Sequence, residues 1–125
     1  MPTPETLEAF IGMVEAGRHV EAIERWYTED ASMQENGGAP RVGRAALAAN
    51  EQRVMDGTAA VVSTCVRPVF VAGDHVVIRW IFEFERKDGR RLRMEELAYQ
   101  VWRGERIAQE QFFYDPAQLK PSAAG

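Results

Sequence analysis

The segment "DHVVIRWIFEFERKDGRRLRMEELAYQVW", residues 74–102, decides the fold. Its first half alternates polar residues with apolar ones at even positions: Val76, Ile78, Trp80, Phe82 and Phe84. This period of two indicates a β-strand whose even positions face a core. A turn sequence, Lys87-Asp88-Gly89, and a second β-rich run follow. The segment therefore predicts an antiparallel hairpin.

The length of the hairpin loop decides which face of the second strand is buried. With a three-residue loop, Gly89 takes the left-handed position and Trp80 lies opposite Glu96. A two-residue turn would flip the second strand. The inward residues are Glu96, Gln100 and Trp102 in the first case, and Glu95, Leu97 and Tyr99 in the second.

The flanking sequence predicts an α+β fold. Thr3 and Pro4 are typical of a helix start, and apolar residues at helical spacing continue to Gly17. Further helices are predicted at residues 20–27 and 44–55, and a short strand at 31–35. From residue 60, turn signals at 72–74, 87–89 and 103–105 divide a four-stranded meander. We predict one domain, residues 1–116, with helices on one face of the sheet, and a flexible tail, residues 117–125.

Composition limits the possible functions. The chain has 125 residues, a net charge of −4 and a single cysteine. The charge argues against a nucleic-acid partner, and no apolar run approaches the roughly 20 residues of a membrane span, so we expect a cytoplasmic protein without membrane contact. Cys65 is interpreted as a small buried hydrophobe. His19 and His75 form no metal-ligand spacing, and we expect neither a metal nor a cofactor.

The outer face of the sheet predicts a partner. On the three-residue reading this face carries apolar side chains that a solvated sheet would not need: Val77, Ile81, Leu97, Tyr99 and Val101. We expect a homodimer through this face.

Three stretches carry a family resemblance: "RWYTEDASMQEN" (25–36), "VGRAAL" (42–47) and "WRGERIAQEQFFYDP" (102–116). In their order and spacing the chain resembles the nuclear transport factor 2-like superfamily, which includes SnoaL-like polyketide cyclases and ketosteroid isomerases. The resemblance implies a cone: a curved antiparallel sheet of four long strands plus a short N-terminal strand, wrapped around three N-terminal helices and a deep apolar pocket. It also implies dimers through the outer sheet face.

The resemblance places a candidate base at Glu35, the position of the proton-shuttling aspartate of ketosteroid isomerases. The tyrosine and aspartic acid that donate to the substrate oxygen there correspond to Phe10 and Ala98, so steroid isomerisation is not expected. No inward arginine lies between two carboxylates, as it does in the limonene epoxide hydrolases.

Paired carboxylates in an apolar pocket can exchange protons near neutral pH. The predicted catalytic residues are therefore Glu35, Glu110 and Tyr114. The predicted ligand-binding residues are Phe10, Trp26, Met33, Trp80, Phe82, Glu96, Gln100, Trp102 and Phe112.

Three functions stay open at this point. The first is cofactor-free acid/base chemistry, such as isomerisation, cyclisation or dehydration, on a small apolar or aromatic metabolite. The second is a module that binds a hydrophobic ligand without catalysis. The third is a dimerisation domain with a vestigial cavity. Either glutamate could also cap a helix, pair with an arginine or face solvent.

Overall fold

A computed structural model describes residues 1–120 of the chain. These residues form three α-helices and a six-stranded sheet with the order β2-β1-β6-β5-β4-β3. The elements are α1 (Pro4–Glu15), α2 (His19–Trp26), β1 (Tyr27–Glu35), β2 (Arg41–Val42), α3 (Arg44–Asp56), β3 (Thr58–Ala72), β4 (His75–Arg86), β5 (Arg91–Arg103) and β6 (Arg106–Phe113).

The β4–β5 hairpin has the three-residue loop. The Arg86 N–H donates to the Arg90 carbonyl at 2.7 Å, and Gly89 has a φ of 86°. Trp80 lies opposite Glu96, as predicted. The even positions of both strands therefore face the helices, and the burial of Ile78, Trp80, Ala98, Gln100 and Trp102 confirms this register.

The predicted helices are confirmed with small changes at their ends. The Thr3 side chain caps α1 by accepting from the Thr6 N–H at 3.1 Å. The apolar stripe of α1 is buried against the inner face of the sheet, where Phe10 meets the ring of Trp102 edge-on at 6.0 Å. The second helix ends at Trp26, one residue earlier than predicted, because Tyr27 begins β1.

The strands before the meander differ from the prediction. The first strand starts at Tyr27 instead of residue 31, and a short strand, Arg41–Val42, was not predicted. In addition, β1 pairs with β6 in parallel, with Met33 opposite Glu110, so the sheet is not purely antiparallel. This pairing joins distant parts of the chain, which local sequence patterns do not reveal. The α+β class with a curved, unclosed sheet is confirmed, consistent with a cone-like arrangement.

A 3-10 helix, Pro116–Leu119, extends from the end of the predicted domain into the predicted tail, residues 117–125. Gln118 accepts a hydrogen bond from the Glu95 N–H at 2.8 Å and donates to the Glu95 carbonyl at 3.0 Å. These hydrogen bonds hold the 3-10 helix against β5. Residues 121–125 lie outside the described residues. Within residues 1–120, no helix combines the length and apolarity needed to span a membrane.

Two glycine-to-alanine substitutions test the loop and should act in opposite directions. Gly89→Ala places a side chain at a φ of 86° and should lower the free energy of unfolding by about 1–2 kcal/mol. Gly12→Ala lies in α1, where an added Cβ meets no atom within 4 Å. It should raise that free energy by about 0.5–1 kcal/mol. Urea denaturation measures both, and a Gly89→Ala variant as stable as the wild type would contradict the loop assignment.

Candidate functional site

A cavity of about 550 Å³ lies between the helices and the inner face of the sheet. The inward even positions of β4 supply one aromatic wall, in which the rings of Trp80 and Phe82 stack at 5.4 Å. Phe10 and Phe112 also line the cavity. Four acidic side chains reach this apolar space: Glu35, Glu51, Glu96 and Glu110. Its size and mixed lining suit a small organic molecule.

Glu110 is held by a chain of buried hydrogen bonds. Its side chain is 3% exposed. The Tyr27 hydroxyl donates to Oε1, and the Gln100 Nε2 donates to Oε2 at 2.6 Å. The Trp102 Nε1 donates to the Gln100 Oε1 at 3.0 Å, which fixes the Gln100 amide with its NH₂ group towards Glu110. The carboxyl group is therefore positioned before any ligand binds.

Sheet pairing brings these residues together. Gln100 lies directly opposite Glu110 across the β5–β6 pair. Tyr27 reaches Glu110 because β1 runs parallel to β6. The Phe10 ring packs edge-on against both Tyr27 and Trp102, at 6.3 and 6.0 Å between centroids. The helix thus closes the back of the hydrogen-bonded cluster.

The pKa of Glu110 lies near neutrality. Burial, with a smaller contribution from the carboxylate of Glu51, raises it from 4.5 to about 7 against the opposing hydrogen bonds from Gln100 and Tyr27. Tyr27 stays protonated, because burial and the adjacent Glu110 hold its pKa well above 10. Glu110 can therefore accept or release a proton near pH 7.

Glu96 is the second perturbed acid. It lies opposite Trp80 on the inner face. Burial and the nearby carboxylates of Glu110, Glu35 and Glu51 raise its pKa from 4.5 to about 8. Within residues 1–120 its carboxyl group has no hydrogen-bond partner, so a ligand would find it available. At pH 7 it is mainly neutral and can donate a hydrogen bond.

Comparison with known proteins identifies the family. Residues 7–110 match the SnoaL-like domain. The chain belongs to the SnoaL-like domain family. No match was found among curated proteins.

Several solved structures share the fold of this SnoaL-like domain. A protein assigned as a SnoaL-like polyketide cyclase from Mesorhizobium loti superposes with a TM-score of 0.75 at 22% identity, covering 91% of this chain and 100% of the other. A ketosteroid isomerase-like protein from Catenulispora acidiphila, solved with trimethylamine, gives 0.76 at 24%, covering 93% and 89%. An LEH-like epoxide hydrolase from M. tuberculosis gives 0.74 at 15%, covering 91% and 83%. These likenesses establish the fold alone.

Eight of the predicted site residues of this SnoaL-like domain line the cavity. They are Phe10, Met33, Glu35, Trp80, Phe82, Glu96, Glu110 and Phe112. Glu35 is exposed to solvent while lining the cavity, which places it at the mouth.

Four predicted site residues do not line the cavity. Gln100 and Trp102 are buried behind Glu110 and orient it instead of reaching a ligand. The Trp26 ring is covered by the Arg25 guanidinium at 4.8 Å. Tyr114 follows the end of β6 and is half-buried; burial raises its pKa, and the carboxylates of Glu35 and Glu96 raise it further.

Sequence reasoning missed several polar residues that line the cavity, among them His19, Tyr27 and Glu51. Tyr27 was assigned to a helix, and its contact with Glu110 spans 83 positions. Cys65 is buried, as expected, and burial raises the pKa of its thiol. Within residues 1–120, no three His, Cys, Asp or Glu side chains are grouped to hold a metal ion.

The raised pKa values predict how stability changes with pH. The folded state keeps the protons of Glu110 and Glu96 up to about pH 7 and 8, whereas the unfolded chain loses them near 4.5. The folded state therefore binds more protons in this window, and the free energy of unfolding should fall between pH 5 and pH 8. Urea denaturation at both pH values measures the fall.

Glu96→Gln removes one of the two carboxyl groups with a raised pKa and should make the fall in the free energy of unfolding smaller. Glu83→Gln removes the same charge from an exposed position of β4 and controls for net charge. An unchanged fall in Glu96→Gln would show that Glu96 is not buried as an acid.

Proposed function

We propose that the cavity binds a small apolar or aromatic metabolite and that Glu110 and Glu96 exchange protons with it without a cofactor. The observation that carries this proposal is the pair of carboxyl groups with pKa values of about 7 and 8 on one apolar cavity. Ordinary surface carboxyl groups would be fully ionised at neutral pH and poor proton donors. The membership of the SnoaL-like family is compatible with this class of chemistry.

The two acids suit different parts of one reaction. Glu110 is ionised in part at pH 7 and can take a proton from a carbon next to a carbonyl group. The C–H bond breaks, the proton passes to Glu110, and the electron pair moves to the carbonyl oxygen. Neutral Glu96 can donate a hydrogen bond to that oxygen, and its apolar surroundings strengthen this stabilisation. Returning the proton at another position completes an isomerisation.

Glu35 remains a second candidate base, because it lines the mouth of the same cavity and lies close enough to Glu96 to affect its pKa. Tyr114 is a candidate proton carrier beside Glu35, since the Glu35 carboxylate also affects its pKa. Both lie nearer to solvent than Glu110.

A binding module without catalysis is the second candidate function. The stacked Trp80 and Phe82 rings provide a binding wall without any chemistry. The Catenulispora acidiphila protein, which shares the fold, was solved with trimethylamine, which supports the binding of a small molecule. Turnover of a probe compound separates the two functions.

An exchange of two side chains tests Glu110 without losing its hydrogen bonds. In the double variant Q100E/E110Q, the new amide can accept from Tyr27 and donate to the carboxylate at position 100, which also accepts from Trp102. The charge thereby moves from the cavity to the layer behind it. The probe is 5-nitrobenzisoxazole, an apolar aromatic compound that opens when a base removes its ring C–H proton.

The rate of ring opening by the double variant should be roughly a hundredfold or more below wild type, in line with the usual contribution of a general base. Binding of the dye ANS should persist, which shows that the cavity is intact. Glu35→Gln is measured in parallel: a loss there with an unchanged double variant would make Glu35 the base. Absence of cavity-dependent turnover in the wild type would favour the binding module.

We also propose a homodimer through the outer face of the sheet. This face exposes Leu97, Tyr99 and Phe113 by 40–46%, and Leu97 lies opposite Phe113 across the β5–β6 pair. Contiguous apolar side chains of this kind favour contact with another protein surface.

Tyr99→Glu should convert the dimer to monomers or insoluble protein, because a charge would enter a desolvated contact. Sedimentation velocity at micromolar concentration measures the assembly state. Glu24→Gln changes an exposed charge on α2, away from the outer face of the sheet, and serves as the control that should leave the assembly unchanged. A monomeric wild type would reject the proposal.

A further inference from the structure

A second group of polar side chains meets the cavity away from Glu110. His19, the first residue of α2, is 8% exposed and lines the cavity. Its Nε2 lies 2.8 Å from the Ser63 Oγ, and its Nδ1 lies 3.3 Å from the Glu51 Oε1. The Phe82 ring packs edge-on against the imidazole at 5.5 Å. The ring is therefore held on three sides by β3, β4 and α3.

The two ring nitrogens differ in how tightly they are held. The bond to Ser63 has ordinary length and a buried partner. The contact with Glu51 is longer than an ordinary hydrogen bond, and the Glu51 side chain is 23% exposed. Nδ1 is thus the ring nitrogen that can take a proton from a ligand or from water while Nε2–H donates to Ser63. Once Nδ1 has taken that proton, the Glu51 carboxylate lies where it can accept from Nδ1 and balance the charge of the imidazolium.

Ser63 suits a ring that changes its protonation state. A hydroxyl group can donate or accept, so Ser63 can satisfy Nε2 in either tautomer and in the imidazolium. Ser63 itself does not line the cavity, so it positions the ring and is not available to attack a ligand.

Ser63, which holds the imidazole, lies on a different strand from Glu110. Ser63 is on β3, opposite Phe82 of β4, whereas Glu110 is on β6. Strands β5 and β4 lie between them, which separates the two backbone positions by about 14 Å along the sheet at the usual strand spacing. The two groups therefore occupy different parts of the cavity wall. Burial and, to a smaller extent, the Glu51 carboxylate on α3 raise the pKa of both Glu110 and Glu96.

We propose that His19 is a second proton-transfer residue of the cavity, with Ser63 and Glu51 as its positioning residues. The cavity then carries proton-exchanging groups on two parts of its wall, on α2 and on β6, and suits a ligand with more than one polar atom. This inference rests on the proposed binding of a small ligand in the cavity, but it does not depend on the chemistry of Glu110.

Hydrolysis of 4-nitrophenyl acetate tests His19 directly. A water oxygen bonds to the acetyl carbon while His19 takes a proton from that water. The bond from the acetyl carbon to the nitrophenyl oxygen then breaks, which yields acetic acid and 4-nitrophenolate. The acetic acid ionises to acetate in water, and His19 returns its proton to solvent. ANS, which occupies the cavity, should inhibit the reaction and thereby identify the part of the rate that belongs to the cavity.

His19→Gln should reduce the ANS-sensitive rate at least about tenfold, since a positioned general base contributes a hundredfold or more. Ser63→Ala and Glu51→Gln keep the ring and should each lower the rate by a smaller factor. His75→Gln is the matched control, because His75 is exposed at a turn and bonded to Tyr99. A folded His19→Gln variant with the wild-type rate, or an equal loss in His75→Gln, would overturn the proposal.

Nitrogen NMR of the wild-type imidazoles covers the case in which His19→Gln does not fold. Addition of 4-nitrophenol should shift the ring nitrogen signals of His19 and leave those of His75 unchanged. Unmoved His19 signals, while Trp fluorescence shows the cavity occupied, would refute proton transfer at this ring. The nitrobenzisoxazole reaction assays Glu110 separately, so failure of one proposal is visible without failure of the other.

Discussion

The register of the β4–β5 hairpin is the constraint on which the rest of this SnoaL-like domain depends. Because side chains alternate between the faces of a strand, a shift of one residue would exchange the two faces of β5 completely. The three-residue loop with Gly89 at positive φ fixes the pairing of Trp80 with Glu96. The same register continues to β6 through Gln100 and Glu110. One backbone conformation thus determines that acids, and not only apolar groups, face the helices.

A buried carboxyl group is compatible with folding at Glu110 because each of its two oxygens accepts a hydrogen bond. Glu110 has donors at both oxygens, and the order of donors and acceptors from Trp102 through Gln100 leaves one arrangement of the amide. Glu96 has no such donors within residues 1–120, and its pKa is the higher of the two. The difference follows from hydrogen bonding, which favours the ionised form of Glu110 and offsets part of its desolvation, and from the carboxylates of Glu110, Glu35 and Glu51, which raise the pKa of Glu96. Two carboxyl groups of one cavity thereby differ in pKa.

One group of residues lines the cavity, and a second group behind it holds the side chains of the first group in place. Trp102 is aromatic and Gln100 is polar, as residues of binding sites often are. Both nevertheless lie behind Glu110 and do not line the cavity. Ser63 has the same relation to His19. A site supported in this way keeps its geometry before a ligand arrives, which lowers the entropy that binding must overcome. Substitutions of the supporting residues are therefore expected to act by changing the orientation of the side chains that line the cavity.

The sequence alone determined the α+β class, the helices and the hairpin turns, because caps, alternation and glycine turns are local properties. It left two registers open for β5, and the structure selected the one in which Glu96 lies opposite Trp80 and Glu110 lies opposite Gln100. The sequence did not determine the parallel pairing of β1 with β6, which brings Tyr27 to Glu110 across 83 positions. Nor did it determine the contacts of His19 with Glu51 and Ser63, across 32 and 44 positions. Local patterns specify which face of an element is apolar, but they do not determine which distant element covers that face. Only the tertiary structure decided which acids are buried together and which aromatic side chains line the cavity, since burial and pKa depend on neighbours supplied by the whole fold.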